Sequence, residues 1–296
     1  MMKHLHYRTR EIVTNSSDDE RILSIKKAKW IGYSQASSII ARFDELLNYP
    51  INHRMPNILL VGDSNNGKTA LLNKFIKSNL SYVEDETSKL IVPTLLIQAP
   101  PEPDERRFYN AILESLFAPY KSSEKIEMKQ QRVIHLLKKV ELRLLIIDEI
   151  HHVLAGNLSK QRSFLNVLKF LSNELKISMI CSGTRDAFNA IQTDPQLANR
   201  FEPKVLKKWK NDEEYLRLLA SFESLLPLKE ASMLIESSIS TKILAMSEGL
   251  IGEISRILEL ASILAIESGV EKINRNILNN IDYTSPSDRK KMIFKL

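Results

Sequence analysis

One eight-residue stretch constrains the fold of this chain more than any other. It matches the pattern G-x-x-x-x-G-K-[ST], and it stands between the short apolar run 57–61 and a segment with helical spacing that begins near residue 70. Two glycines let the backbone curl so that successive amide groups face a phosphate, and the following helix adds its positive N-terminal end. The pattern therefore predicts a strand, a phosphate-binding loop and a helix, in preference to an incidental glycine turn.

Two side chains in this loop have specific predicted roles. We expect Lys68 to reach the β- and γ-phosphates of a nucleotide and the Thr69 hydroxyl to ligate Mg²⁺. The nucleotide-binding residues predicted within this loop are consecutive: Gly62, Asp63, Ser64, Asn65, Asn66, Gly67, Lys68, Thr69 and Ala70.

A second signal is an apolar run, residues 144–147, that ends in two acids, Asp148 and Glu149. Such a run indicates a buried strand that brings both carboxylates to the edge of the sheet where the phosphate loop also ends. Asp148 would then hold Mg²⁺ through water, and Glu149 would orient the attacking water as general base. A solvated turn is the alternative for the two acids alone, and the upstream loop disfavours it.

The spacing of these signals distinguishes classes of nucleotide-binding protein. Lys68 and Asp148 are 80 residues apart with a predicted strand, 90–97, between them, and a glutamate directly follows the aspartate. This arrangement resembles the ATPase branch that includes the AAA+ proteins. Ras-like GTPases lack it, and the chain has no N-K-x-D motif for guanine, so we expect ATP as the nucleotide.

Further candidates occupy positions where AAA+ proteins carry functional residues. Thr184, with Ser182 as second choice, follows the strand 177–181 and would contact the γ-phosphate or the attacking water, unless it only caps the next helix. Arg200 would reach a neighbouring subunit's γ-phosphate, with a surface salt bridge as the alternative. Arg256 is placed as a second sensor, a role that a shift of one residue would give to Ser255.

Other polar features favour simpler interpretations. His151 and His152 are adjacent and have no evident third ligand, so we expect no metal other than Mg²⁺. The single cysteine, Cys181, excludes a disulfide framework and a cysteine-rich zinc site, and it suits a reducing cytoplasm. Lysines around Trp209 are explained equally by a nucleic-acid patch and by an exposed strand edge.

The order of these segments predicts an α/β fold. We expect an AAA+ P-loop core with a parallel sheet sandwiched by helices, followed by a small α-helical lid domain. The expected divisions are an N-terminal arm and helices (1–50, loose up to residue 20), the ATPase core (51–208), the lid (209–283) and a basic tail (284–296). The net charge of +6 weakly favours a polyanionic partner. No apolar run approaches the ~20 residues of a membrane span, so we expect a cytoplasmic protein without membrane contact.

Several separated motifs together resemble the TniB family of transposon-encoded AAA+ ATPases, which are related to TnsC. The resemblance covers roughly residues 20–285. It is carried by W-I-G-Y at 30–33, H-R-M-P-N at 53–57, G-D-S-N-N-G-K-T at 62–69, I-D-E-I-H-H at 147–152, N-R-F-E-P at 199–203 and L-P-L at 226–228.

The resemblance implies an ATP-dependent regulator of DNA transposition that assembles on double-stranded DNA as a ring or helical filament. It also implies a DDE-type transposase and a target-selection protein of the TniQ kind as partners. Ile31 and Tyr33 lie in the region that packs on adenine in AAA+ proteins, with ordinary helix packing as the alternative. The DNA-facing stretch of the relatives corresponds to a segment with four candidates for backbone phosphates: Arg106, Arg107, Lys121 and Ser122.

Two other functions share the nucleotide motifs. A helicase-loader-like remodeller would carry all of them, and the W-I-G-Y and N-R-F-E-P motifs favour transposition over it. An ATP-switched DNA-binding scaffold would not need Glu149, since a protein that only binds nucleotide requires no base.

Overall fold

The computed structural model describes residues 2–27, 29–192 and 198–293. These residues form two compact units. The core unit consists of Gln35–Ser64 and Lys68–Leu206, and the helical unit consists of Met1–Ser34, Asn65–Gly67 and Lys207–Leu296. The phosphate loop predicted from the sequence therefore has its two ends in the core unit and its middle in the helical unit.

A parallel sheet forms the centre of the core unit. Its strands are β1 (Asn57–Gly62), β4 (Thr94–Gln98), β5 (Leu144–Asp148), β6 (Ser178–Gly183) and β7 (Phe201–Leu206), in the spatial order β4-β5-β6-β1-β7. All four pairings are parallel. Because the carboxyl ends of parallel strands meet at one edge, the residues that follow β1, β5 and β6 come together there.

The burial of the strands agrees with their composition. Every residue of β1, β5 and β6 is buried, as expected for runs that are apolar on both faces. In β7 only the two terminal residues are buried, and Pro203 lies within it, which suits a strand at the sheet edge because proline has no N–H to donate. The sequence did not predict β7 as a strand.

The predicted strand 90–97 is two strands in the structure. Pro93 separates β3 (Lys89–Ile91), which pairs antiparallel with β2 (Tyr82–Glu84), from β4 in the main sheet. Of these two strands, only β4 belongs to the main sheet, where it is the outermost strand and pairs with β5. The single-strand expectation was wrong because a proline ends one strand and allows the next to begin.

Helices cover both faces of this sheet. They are α3 (Ser34–Leu47), α4 (Lys68–Ser78), α5 (Glu105–Ser115), α6 (Ile126–Lys139), a 3₁₀ helix (Ile150–Ala155), α7 (Leu158–Leu175) and α8 (Arg185–Gln192). One face packs Leu59, Val61 and Ile147 against Phe108 and Phe164, whose rings meet edge to face at 5.2 Å. Alternate strand residues are also fully buried but lie outside that cluster, among them Ile58, Leu60 and Ile180. The expected α/β class with a parallel sheet flanked by helices is confirmed.

The helical unit has a hydrophobic core of its own. Its helices are α1 (Tyr7–Asn15), α2 (Asp18–Lys26), α9 (Glu213–Leu225), α10 (Ser237–Ser247), α11 (Ile251–Glu267), α12 (Arg275–Asn280) and α13 (Pro286–Ile293). Ile25 of α2 packs in one cluster with Leu219, Ile254 and Leu258. Within the described residues, no helix is long and apolar enough to cross a membrane.

Two terminal segments, the first of them expected to be a loose arm, contain helices. The stretch up to residue 20 was expected to be a loose arm, but it contains α1 and the start of α2, which opens with a capping box between Ser17 and Glu20. The basic segment after residue 284 contains α13. Both helices are rich in polar residues, and in such helices tertiary contacts contribute stability that local patterns do not reveal.

Candidate nucleotide-binding site

The two ends of the phosphate loop lie at the carboxyl edge of the core sheet. β1 ends at Gly62, and α4 begins at Lys68. A side chain at Gly62 would come within 3.2 Å of the Leu206 Cβ, so the neighbouring strand β7 leaves little room for one. β5 ends at Asp148 on the same edge. The structure thus brings the predicted loop and the predicted acidic residues to one side of the sheet.

Lys68 is buried and turns back onto the loop. Lys68 is 5% exposed, and its Nζ donates hydrogen bonds to the carbonyl oxygens of Gly62 and Asp63, each at 2.9 Å. Burial lowers the pKa of Lys68, while the nearby carboxylates of Glu149 and Asp148 act in the opposite direction. The ammonium is therefore held by neutral carbonyls inside the loop, a position from which phosphate oxygens can replace them.

Thr69 and Asp148 are in direct contact. The Thr69 Oγ1 donates a 2.6 Å hydrogen bond to the Asp148 Oδ2. Hydroxyl and carboxylate oxygens are ligand types that Mg²⁺ prefers, and here they are adjacent without any rearrangement of the backbone. The residues present fit the magnesium site that the sequence predicted.

Glu149 has an unusual backbone conformation. It follows β5 directly with φ 56° and ψ 38°, in the left-handed region, and its N–H donates to the Asp148 Oδ1 at 2.9 Å. A non-glycine residue in this region costs about 1 kcal/mol. The turn directs the chain away from the strand immediately after the two carboxylates.

Two imidazoles lie close to the Glu149 carboxylate. The His151 Nδ1 is 3.1 Å from the Glu149 Oε2, although the two groups are not aligned as a hydrogen bond. Ligand atoms of Glu149, His151 and His152 all lie within 4.8 Å of one another. The expectation that the histidines have no third ligand nearby was therefore wrong, because the left-handed turn brings Glu149 back beside them.

The two hydroxyl candidates after β6 differ in burial. Thr184 follows β6 directly and is half-buried at the start of α8, whereas Ser182 is fully buried inside the strand. The Ser182 Oγ has no hydrogen-bond partner in the part of the chain that the structure describes. A Cβ at Gly183 would lie 2.8 Å from the Ala187 Cβ, so glycine is needed where β6 passes α8.

Arg200 lies at the amino-terminal end of the parallel strands, and the loop lies at their carboxyl-terminal end. It directly precedes β7, whose first residue pairs with the first residue of β1, and Gly62 pairs with the last residue of β7. A six-residue strand is roughly 20 Å long. Arg200 Nη1 donates to the Asn173 Oδ1 at 2.6 Å. Arg200 is thus separated from Lys68 of the same chain by the length of a strand.

The middle of the loop packs on the first turn of α11. The Asn65 carbonyl accepts a 3.1 Å hydrogen bond from the Gly252 N–H, and its Nδ2 donates to the Glu253 Oε1 at 3.0 Å. A Cβ at Gly252 would lie 1.9 Å from the Asn65 Oδ1, so only glycine fits there. Sequence reasoning missed Gly252 and Glu253 as site residues. The one local signal was a glycine in the first turn of a predicted helix, where it is a poor helix former.

Comparison with known proteins identifies the family. The sequence model of the family described as "Bacterial TniB protein" matches residues 21–211, more than half of the chain. The chain belongs to the TniB family. Among curated protein sequences, none matches this TniB-family chain.

Solved structures share the fold of this TniB-family chain. The Aeropyrum pernix ORC1 protein in complex with DNA superposes with a TM-score of 0.56 at 14% identity, over 92% of this chain and 69% of that one. Drosophila ORC bound to DNA gives 0.58 at 12% identity, over 90% and 65%. The RuvB Holliday junction branch migration motor of Thermotoga maritima gives 0.51 at 14% identity, over 86% and 71%. The predicted AAA+ P-loop fold is confirmed.

Candidates for adenine and phosphate contact lie in the helical unit of the TniB-family chain. The Tyr33 ring packs edge to face on Trp209, with ring centroids 5.1 Å apart, and burial raises the pKa of Tyr33 to about 12. The Arg256 Nη1 forms a 2.7 Å ion pair with Glu259 on the surface of α11. Ile31 and the alternative residue Ser255 line one cavity of about 250 Å³. The predicted roles of Ile31, Tyr33 and Arg256 stay predictions.

The four DNA candidates cluster around one loop of the core unit. The Arg106 Nη1 donates to the carbonyl oxygens of Ser122 and Glu124, at 3.0 and 2.8 Å. Arg107 is exposed and makes long ion-pair contacts to Asp104 and Glu102, at 3.7 and 3.8 Å. Lys121 and Ser122 are exposed. Arg106 therefore holds the loop that presents Lys121, and Arg107 and Lys121 are the accessible cations.

Proposed function

We propose that this TniB-family chain binds and hydrolyses ATP and thereby regulates DNA transposition, assembling on duplex DNA and linking target selection to a DDE-type transposase. The observation that carries the ATPase proposal is the 2.6 Å hydrogen bond between Thr69 and Asp148, because it joins the phosphate loop to the acidic strand. Lys68 and Glu149 lie at the same sheet edge. The transposition part rests on membership of the family.

The chain's own residues suggest a sequence of events at the γ-phosphate. Lys68 would exchange the Gly62 and Asp63 carbonyls for oxygens of the β- and γ-phosphates. Glu149 would accept a proton from water as the water oxygen attacks the γ-phosphorus and the bond to the β-phosphate oxygen breaks. Thr69 and Asp148 would hold Mg²⁺, which neutralises phosphate charge when it is bound.

The position of Arg200 supports a site completed by a second copy of the chain. Arg200 and Lys68 lie at opposite edges of one sheet, so the Arg200 of the same chain is roughly 20 Å from the phosphate loop. In a head-to-tail arrangement, one copy's Arg200 faces the next copy's loop. A guanidinium suits this role because it is always charged and forked to match phosphate oxygens.

Two substitutions test the ATPase assignment. Lys68→Ala removes the cation that binds the phosphates, so nucleotide binding should be lost. Glu149→Gln keeps the shape but removes the base, so binding should persist while turnover falls by about 10²-fold or more. Both are measured by nucleotide titration and phosphate release. Lys74→Ala, which changes an exposed lysine on the same helix α4, is the matched control and should match the parent. Parental turnover by Glu149→Gln would refute the assignment of the base.

DNA binding is tested by its dependence on salt. If exposed cations such as Arg107 and Lys121 contact backbone phosphates, affinity for duplexes of unrelated sequence should be similar and should fall steeply as salt rises. Lys121→Ala should reduce the slope of log affinity against log salt by about one. Affinity that is insensitive to salt, or confined to one sequence, would contradict the proposal.

A helicase-loader-like remodeller remains the alternative function, since it would share the nucleotide residues. The structural likeness to ORC proteins is one of fold at 12–14% identity, whereas the family match favours transposition. Strand transfer by a DDE-type transposase and a TniQ-type protein, measured with and without this chain, separates the two functions. ATP-dependent stimulation of strand transfer is the expected result.

A further inference from the structure

A buried carboxylate contacts Asn65 in the middle of the phosphate loop. The side chain of Glu253, in the first turn of α11, is only 5% exposed. Three residues from distant parts of the sequence donate hydrogen bonds to it: Asn65 at 3.0 Å, Tyr283 at 2.6 Å, and Arg289 through two nitrogens at 3.0 and 2.6 Å. All four residues belong to the helical unit. Glu253 thus connects the loop to the segment 283–289, which includes the first half of α13.

The charge of Glu253 depends on this segment. Burial raises the pKa of Glu253, but the hydrogen bonds from Arg289, Tyr283 and Asn65 outweigh it and leave the pKa below its ordinary value. Arg289 carries the compensating charge and lies over the Tyr283 ring, 5.5 Å from its centroid. A buried carboxylate that loses its paired cation is strongly destabilised, so removal of Arg289 leaves Glu253 with an uncompensated charge.

The loop residue that Glu253 contacts has a constrained backbone. Asn65 has φ 60°, in the left-handed region that asparagine tolerates better than most residues. Its carbonyl is held by the Gly252 N–H and its side-chain amide by Glu253. Three residues further along the chain stands Lys68. A change at Glu253 therefore acts on the conformation of the loop just before the residue that would bind phosphate.

We propose that Glu253 is a positioning residue of the nucleotide site, and that the segment 283–289, acting through Arg289 and Glu253 on Asn65, sets the affinity of the phosphate loop for nucleotide. The inference rests on the proposed function, because it requires that the loop binds ATP. Glu253 touches no reacting atom, so its effect falls on nucleotide affinity and KM, while kcat at saturation changes little.

Arg289→Ala is the first test, made in the full chain. The affinity for ATP, measured by titration with a fluorescent ATP analogue and competition with ATP, should fall about tenfold, the size of one lost hydrogen bond to a charged group. kcat should stay within about twofold of the parent. Lys290→Ala, which removes an exposed cation from the neighbouring position of α13, is the matched control and should have parental affinity. Far-UV circular dichroism checks that both variants are folded.

A double-mutant cycle tests the route of the effect. Asn65→Gly keeps the left-handed backbone but removes the amide that Glu253 accepts from. If the segment acts through Glu253 on Asn65, Arg289→Ala should lower affinity in the parent but have no further effect in the Asn65→Gly background. Equal losses of ATP affinity in both backgrounds would overturn this inference, as would parental affinity of folded Arg289→Ala. Either result would leave the proposed function standing. A parent chain that binds no ATP, or a Lys68→Ala variant that binds it normally, would overturn the proposed function and this inference with it.

Discussion

The hydroxyls of Ser182 and Thr184, at the end of β6, differ in their burial. Among the described residues the buried Ser182 Oγ has no hydrogen-bond partner, which costs free energy, whereas Thr184 is half-buried between β6 and α8. Of the two residues, only Thr184 is partly exposed.

Substitution of these hydroxyls separates their roles. Thr184→Ala should lower turnover by about a hundredfold with little change in ATP affinity, as expected for loss of one donor to the transition state. Ser182→Ala should leave turnover near that of the parent, because the hydroxyl it removes is buried and has no partner among the residues that the structure describes. Phosphate release at saturating ATP measures both. If Ser182→Ala is instead the variant with low turnover, the contact with the γ-phosphate or the attacking water belongs to Ser182 and not to Thr184.

Local patterns predicted the chemistry of the loop but not its supports. Lys68, Thr69, Asp148 and Glu149 each follow a buried strand or open a helix, so a short window of sequence indicates their place. The hydrogen bond between Asn65 and Glu253 joins residues 188 positions apart. No periodicity within one element records such a contact, so these supports could not be read from the sequence.

At the scale of elements, α2 is fixed to the rest of the helical unit by a buried ion pair. Arg21 is 1% exposed and its Nη2 lies 2.5 Å from the Glu271 Oε2. Its Nε and Nη2 also donate to the Pro227 carbonyl, at 3.0 and 2.7 Å. Burial raises the pKa of Glu271, but hydrogen bonds from Arg21 and Lys229 lower it to about 2. These contacts explain why the predicted arm is ordered where it enters α2.

The ion pair gives the free energy of unfolding a dependence on acid. A carboxyl whose folded pKa is about 2, against an ordinary 4.5, stabilises the fold above pH ~4.5, and this contribution is lost as the pH falls toward 2. Glu271→Gln should therefore lower the free energy of unfolding at pH 7 by about 3 kcal/mol. Urea unfolding at pH 7 and pH 3 measures the difference, which should shrink at the lower pH.

Glu267→Gln is the control for this experiment. Glu267 is an exposed residue at the end of α11, so its replacement should change the free energy of unfolding little at either pH. A Glu271→Gln deficit that is the same at pH 3 and pH 7 would mean that the stabilisation does not depend on the charge of Glu271.

The elements that sequence patterns predicted well are those whose burial is uniform. β1, β5 and β6 are predominantly apolar and buried along their whole length, and they lie where the apolar runs indicated. β7 is buried only at its two ends and contains Pro203, so its sequence resembles a loop. It becomes a strand because its backbone pairs with β1, a contact that its own sequence does not encode.

At the scale of the whole molecule, the placement of Arg200 predicts that hydrolysis requires association. Arg200→Ala should bind ATP with near-parental affinity but lose DNA-stimulated hydrolysis, by roughly a thousandfold if it supplies a transition-state charge. Phosphate release with and without duplex DNA measures the loss. Full DNA-stimulated activity in Arg200→Ala would make it a surface contact of Asn173 and nothing more.

Mixing two inactive variants tests whether Arg200 acts between chains. A Lys68→Ala subunit still carries Arg200, so it should complete an intact loop on an Arg200→Ala neighbour. Partial recovery of activity in the mixture is therefore expected, although each variant alone is inactive. No recovery in mixed assemblies of the parental size would indicate that Arg200 does not act in trans.

Because Arg200 and Lys68 lie at opposite edges of one sheet, a row of chains joined through them has two unlike ends. An open row of n chains completes n − 1 sites, with one end holding a loop that has no arginine and the other an arginine that has no loop. A closed ring completes every site. In an open filament the hydrolysis rate per chain should therefore rise with the length of the bound duplex toward a plateau, and the terminal chain at the loop end should retain its ATP longest.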